Sequence, residues 1–84
     1  MGRNVTGKQM IRILEKDGWT RGGQRTHGIF FHKRYPGESL PRTVIVPDKN
    51  SVLPTGTLGA ILGVKQTKLG KDGLEEVIEK YGLK

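Results

Sequence analysis

An α+β sandwich, with three antiparallel strands covered on one side by helices, is the architecture this chain predicts, and three observations predict it. Apolar residues recur at helical spacing between positions 6 and 17. Between 19 and 47 they give way to β-branched and aromatic runs broken by Gly and Pro. After residue 53 the helical pattern returns. At 84 residues the chain is one domain's worth, since domains span about 50 to 250 residues. A single unit over 1–84 is expected, with its core at about 5–64 and an extension at about 65–84.

The first helix opens at Val5-Thr6-Gly7-Lys8-Gln9-Met10. Thr6 is the cap, Gln9 completes a capping box, and Val5 and Met10 stand as a hydrophobic staple. Met10, Ile13 and Leu14 form its inward stripe, and Gly18 ends it. Trp19-Thr20 begins a strand punctuated by Gly22-Gly23. The strongest strand signal follows, Thr26 to Arg34. Tyr35-Pro36-Gly37-Glu38 has the chemistry of a tight turn, with Pro fixing φ at the second position and Gly supplying positive φ at the third. Arg42 to Val46 returns as the third strand, and Pro47 closes it. A polar loop leads to a short apolar helix between Leu53 and Gly63, entered at Pro54 or Thr55. Gly56 and Gly59 weaken that helix, which predicts close backbone approach there. After an ambiguous segment at 65–70, Asp72 and Glu75 begin a last helix that Gly82 ends, with Leu74, Val77, Ile78 and Tyr81 as its buried face.

Hydrophobic residues make up 33% of the chain, and the aromatics are Trp19, Phe30, Phe31, Tyr35 and Tyr81. A core so small is built mostly from Ile, Leu and Val. With no cysteine there are no disulfides, thiolate metal sites or thiol nucleophiles, and a reducing compartment is favoured. No run approaches the roughly 20 apolar residues of a membrane helix, and Met1-Gly2-Arg3-Asn4 has no apolar leader. The expectation is a soluble, cytoplasmic protein with no membrane partner. Oligomeric state is not encoded in any pattern here.

Charge points to the partner class. Fifteen Lys and Arg against eight Asp and Glu give a net charge of +7, and such a field favours polyanions. The excess is uneven: residues 1–71 carry 13 basic and 4 acidic side chains, residues 72–84 carry 2 and 4. Nucleic acid is the leading partner, with an acidic protein or an anionic membrane surface behind it. Lys8, Arg12 and Lys16 recur at i, i+4, i+8 on one helix face, either as a phosphate grip or as a solvated surface. Arg21, Arg25, Lys33, Arg34 and Arg42 cluster on the strand segment and complete the candidate RNA-binding set.

Two histidines are available for proton transfer near neutral pH. His27 and His32 are five apart in one strand run, so alternation puts them on opposite faces: His27 with Ile29 and Phe31, His32 with Gly28 and Phe30. Neither a paired-histidine site nor a metal site is expected, and no cofactor motif is present. His27, close to Arg21 and Arg25, is the candidate acid or base. RNA laid over the face that His27 shares with Ile29 and Phe31 would offer a 2′-hydroxyl for deprotonation, with cations stabilising the phosphorane charge. An ordinary half-exposed strand residue is the alternative for the same histidine. His32 is read as structural or as a phosphate contact.

Thr6-Gly7-Lys8, Leu14 to Trp19, Thr26-His27-Gly28-Ile29-Phe30, Val44-Ile45-Val46-Pro47 and Leu53 to Leu62 together resemble the HicA (YcfA-like) toxin family, over roughly residues 5 to 64 and in the same order. The resemblance implies a double-stranded-RNA-binding-domain-like fold of α-β-β-β-α order. It implies an mRNA interferase, a metal-independent endoribonuclease, held inactive by a HicB-like antitoxin. It puts His27 on the family's catalytic histidine, usually found in Gly-Ser-His. Here that motif is Arg25-Thr26-His27, the following residue, often a second histidine, is Gly28, and the family's Pro-x-His is Pro47-Asp48-Lys49. The alternative function on the same fold is a non-catalytic RNA-binding module.

Overall fold

Thr6 sets the first helix in place. Its side chain accepts the Gln9 N–H at 3.1 Å while the Gln9 side chain accepts the Thr6 N–H at 2.8 Å, the reciprocal capping box that satisfies two otherwise unpaired donors. In the computed structural model, which describes residues 4–82, six elements follow in order. They are α1 (Gly7–Lys16), β1 (Thr20–Arg25), β2 (Gly28–Lys33), β3 (Arg42–Val46), α2 (Thr55–Leu62) and α3 (Gly70–Tyr81). Met1–Arg3 and Lys84, which entered the expectations about the N-terminus and the tail charge, lie outside the described residues.

The strands form one antiparallel sheet in the order β1-β2-β3. Alternation along them makes the core one-sided. Ile29 lies opposite Val46 and Phe31 opposite Val44, and all four are buried on one face. Against that face pack Met10, Ile11, Ile13 and Leu14 of α1, Ile61 and Leu62 of α2, and Leu74, Val77 and Ile78 of α3. Val5 and Leu53 seal one side, where the Leu53 N–H donates to the Val5 carbonyl at 2.7 Å. Full burial of each such side chain contributes about 1.5 to 3 kcal/mol. This is the α+β, double-stranded-RNA-binding-domain-like arrangement, with α3 added to the α-β-β-β-α order.

The local chemistry acts largely as the sequence predicts. Gly18 takes φ +90° after α1, and Gly37 takes φ +83° in the Tyr35–Glu38 turn, where the Glu38 N–H donates to the Tyr35 carbonyl at 3.1 Å. Gly82 caps α3 with φ 65°. The Gly22-Gly23 pair is a β-bulge, with the register shifting between Arg21 and Gly23.

Four expectations are corrected. The strand run predicted from Thr26 begins two residues later, and Thr26 and His27 form the turn of the β1–β2 hairpin. Arg25 pairs with Gly28, which leaves His27 outside the face shared by Ile29 and Phe31, and that face, expected to receive RNA, is buried in the core instead. Tyr81, predicted to be buried, is 41% exposed, as the last residue of α3, beyond the buried Ile78. Gly56 and Gly59 approach nothing: a Cβ at either would meet no atom within 4 Å. α3 begins at Gly70 rather than at Asp72, which stands in the first turn.

Candidate functional site

The hairpin turn puts His27 at one end of the sheet, exposed to solvent. The backbone beside it is tightly held. Gly28 takes φ +144°, and a Cβ there would lie 2.1 Å from the Val46 carbonyl oxygen, so only glycine fits between the histidine and the end of β3. Pro47 in turn packs on Gly7 at the start of α1. The hairpin tip, the 47–51 loop and the first turn of α1 therefore share one end of the molecule.

That end gathers His27, Arg25, Lys8, Asp48 and Lys49. Lys8 Nζ donates to Asp48 Oδ1 at 2.7 Å, an ion pair with both partners substantially solvated, so it contributes little to stability. It does hold the lysine over the loop. The Lys8 N–H donates to the Lys49 carbonyl at 3.0 Å. The Arg25 guanidinium lies 4.8 Å from the centroid of the Phe30 ring. Asp48 and Lys49 were not among the sequence candidates. The signal available for them was their place directly after the strand-ending Pro47.

The other predicted basic residues divide between two further places. Arg12 and Lys16 extend from Lys8 along the exposed face of α1, and Arg21 lies 4.0 Å from Glu15 on the same helix. At the far end of the sheet, cations are drawn into intramolecular contacts. Lys33 Nζ donates to the Asp17 carbonyl at 2.6 Å and lies 3.5 Å from its carboxylate, which closes the C-terminus of α1. Arg34 donates to the Ser39 carbonyl at 3.0 Å.

Arg42 is the most engaged of all. It donates to both carboxylate oxygens of Glu38, at 2.9, 3.2 and 2.7 Å, and to the carbonyls of Val64 and Gln66. The hydrogen bond from Arg42 holds the Glu38 carboxyl below its ordinary value, and the same contact raises Arg42. Tyr35 beside them donates to the Thr67 carbonyl. Burial, with the nearby Asp17 carboxylate, pushes its phenol up. The sequence brought Lys33, Arg34 and Arg42 together with the hairpin by charge alone, whereas the fold places them at the opposite end of the strands.

His32 projects from the outward sheet face beside Phe30, ring centroids 5.9 Å apart, and does not meet His27. Among the described residues, no group of three or more His, Cys, Asp or Glu side chains is placed to hold a metal ion. No helix among them is long and apolar enough to cross a membrane. The exposed imidazole can accept a proton from a bound hydroxyl next to a phosphate.

A family model described as the HicA toxin of bacterial toxin–antitoxin systems matches residues 7–69. It runs from the first residue of α1 to the residue before α3. Comparison with curated proteins and with solved structures returned no match.

Proposed function

The chain belongs to the HicA toxin family of bacterial toxin–antitoxin systems, and from that premise we propose that it is a cytoplasmic endoribonuclease that cleaves mRNA with His27. The observation that carries this reading is the exposed His27 at the hairpin tip, at the end of the sheet that also holds Arg25, Lys8 and Lys49. RNA phosphates are held there and along the Lys8, Arg12, Lys16 face, with Arg21 at its border. The imidazole removes the 2′-hydroxyl proton as the 2′-oxygen bonds to phosphorus. The bond from phosphorus to the 5′-oxygen breaks, and that oxygen takes a proton from solvent. A 2′,3′-cyclic phosphate and a 5′-hydroxyl result, without a metal. Lysine and arginine stabilise the extra negative charge of the phosphorane. A HicB-like antitoxin with an acidic surface over this end would block binding and chemistry in one interface.

The test is induced expression of the wild type and of His27→Ala at matched folded yields, with cellular RNA followed over time. Growth arrest with RNA loss in the wild type alone, and cyclic-phosphate ends formed in EDTA, are expected. Magnesium-dependent products with 5′-phosphate ends would sink the mechanism.

One observation favours a second reading, a non-catalytic RNA-binding module. Arg25 stands where the resembling motif has glycine, and its guanidinium folds onto Phe30. RNA binding by both proteins with cleavage by neither would establish that reading.

A further inference from the structure

The sheet face turned away from the helices has a composition that core packing does not explain. Register places Thr20, His32 and Thr43 in one row across it, and Phe30 and Ile45 in the next, beside the Gly22-Gly23 bulge. Phe30 and His32 are half-buried, and Ile45 is 41% exposed. Phe30 lies down on the backbone of β1: a Cβ on Gly22 would come within 2.3 Å of its Cδ2 atom. The bulge thus makes room for a flat ring. Arg25 covers that ring with its planar guanidinium at 4.8 Å, and the His32 ring stands 5.9 Å away, tilted by 35°.

We propose that this outward face is a stacking platform for unpaired bases of single-stranded RNA, with Phe30 and His32 as the two base seats and Arg25 as the phosphate contact. The proposal rests on the RNA-cleaving reading above and adds the substrate's form and its path. A planar cation on an aromatic ring occupies the position a nucleobase takes when it stacks. Arg25 is long and exposed, so it can yield that position to a base and turn to the adjoining phosphate.

Charge selects the same occupant. None of the three strands contains a carboxylate. The carboxylates nearby are each paired with a cation, Glu15 with Arg21, Asp17 with Lys33, Glu38 with Arg42 and Asp48 with Lys8. The platform also leads to the histidine. Phe30 is three residues from His27, about 10 Å along a strand at roughly 3.3 Å per residue. A base seated on Phe30 brings a neighbouring phosphodiester to the hairpin tip. A duplex keeps its base faces stacked inside and cannot use such seats.

The experiment is done in the full chain carrying His27→Ala, so that binding is read without cleavage and independently of whether the wild type cleaves. The probe is a short oligoribonucleotide containing 2-aminopurine, as a single strand and as a blunt duplex. The single strand is expected to bind at least tenfold tighter and to change its fluorescence as the base stacks. Phe30→Leu, which still covers Gly22, is expected to lose about tenfold in affinity, the scale of one lost base–aromatic stack. His32→Ala, on an outward ring, is expected to weaken binding severalfold and decides the matter if Phe30→Leu lowers the melting temperature. Equal or tighter duplex binding overturns the proposal. So does single-strand affinity unmoved by both variants, and if these variants instead lose an antitoxin, the face belongs to a protein partner. Absence of cleavage by the wild type, with the platform intact, would overturn only the catalytic reading.

Discussion

Gly7 and Pro47 meet so closely that a Cβ on Gly7 would lie 1.9 Å from the Pro47 carbonyl oxygen. The contact joins the start of α1 to the loop after β3, and two backbone hydrogen bonds run alongside it, from Gly7 to the Ser51 carbonyl at 3.4 Å and from Lys8 to the Lys49 carbonyl at 3.0 Å. It positions Lys8 and Asp48 at the same end as His27. The glycine of Thr6-Gly7-Lys8 therefore serves the packing that assembles the site.

Gly7→Ala is expected to destabilise the fold by about 3 kcal/mol, the upper range for a forced extra methyl in a packed position. Helix propensity alone would act in the opposite direction, by up to about 1 kcal/mol. Urea unfolding distinguishes the two, and a midpoint equal to or above that of the wild type would contradict the steric account.

Acid should loosen the Glu38–Arg42 clamp. Glu38 is held below its ordinary value in the folded protein, chiefly by the Arg42 hydrogen bond. The stability this adds is present above the unfolded value of about 4.5 and is lost as pH falls through the lower folded value. Between pH 7 and pH 3 the melting temperature of Glu38→Gln should fall less than that of the wild type. Parallel profiles would remove the clamp from the acid response.

Arg42→Ala removes the donor that ties the carbonyls of Val64 and Gln66 to the sheet. Limited trypsin digestion is expected to cut this variant faster at Lys65 and Lys68 than the wild type, with the other sites little changed. An unchanged cleavage pattern would mean that Tyr35, bonded to the Thr67 carbonyl, holds the segment alone.

Thr67 is the buried polar side chain of the described core, at 0% exposure. Its hydroxyl donates to the Ile61 carbonyl at 2.6 Å and accepts the Leu69 N–H at 3.3 Å. Thr67→Val keeps the shape but takes the acceptor from the Leu69 N–H and leaves the Ile61 carbonyl with the Thr67 N–H alone, at an expected cost of about 1 to 3 kcal/mol. A chemical denaturation curve matching the wild type would show that water replaces the hydroxyl.

The family match stops at residue 69, yet α3 buries Leu74, Val77 and Ile78 in the common core. Ile78→Ala is expected to cost about 2 to 5 kcal/mol, and a chain ending at Leu69 should lose cooperative unfolding. A sharp thermal transition in that shortened chain would make α3 an appendage.

Features encoded within a few neighbouring residues were legible. Thr6 and Gln9 are three apart and form their capping box within one turn, and Gly18, Gly37 and Gly82 each take the positive φ that their local turns require. The inward stripe of α1 and most of the buried face of α3 follow from periodicity alone, whereas alternation sets Ile29 and Phe31 on one face of β2 without saying that this face is the buried one. The setting of His27 was not legible. Thr26 and His27 have no Asn-Gly or Asp-Gly signal, and Thr26 has the side chain of a strand residue, so the run looked continuous.

The sequence by itself determined the α+β class, the element order, the one-sided core and the net basic charge, because these depend on composition and on spacings of two to four residues. The tertiary structure alone decided where the hairpin turns, which cations share its end of the fold with His27 and which are held by Glu38 and Asp17. Those depend on strand register, fixed by the Gly22 bulge and by the seating of Ile29 and Phe31 against Val46 and Val44. A shift of one residue would turn Phe30 and His32 into the core and Phe31 out of it. Only burial, summed over the whole sheet, carries enough free energy to choose between those alternatives.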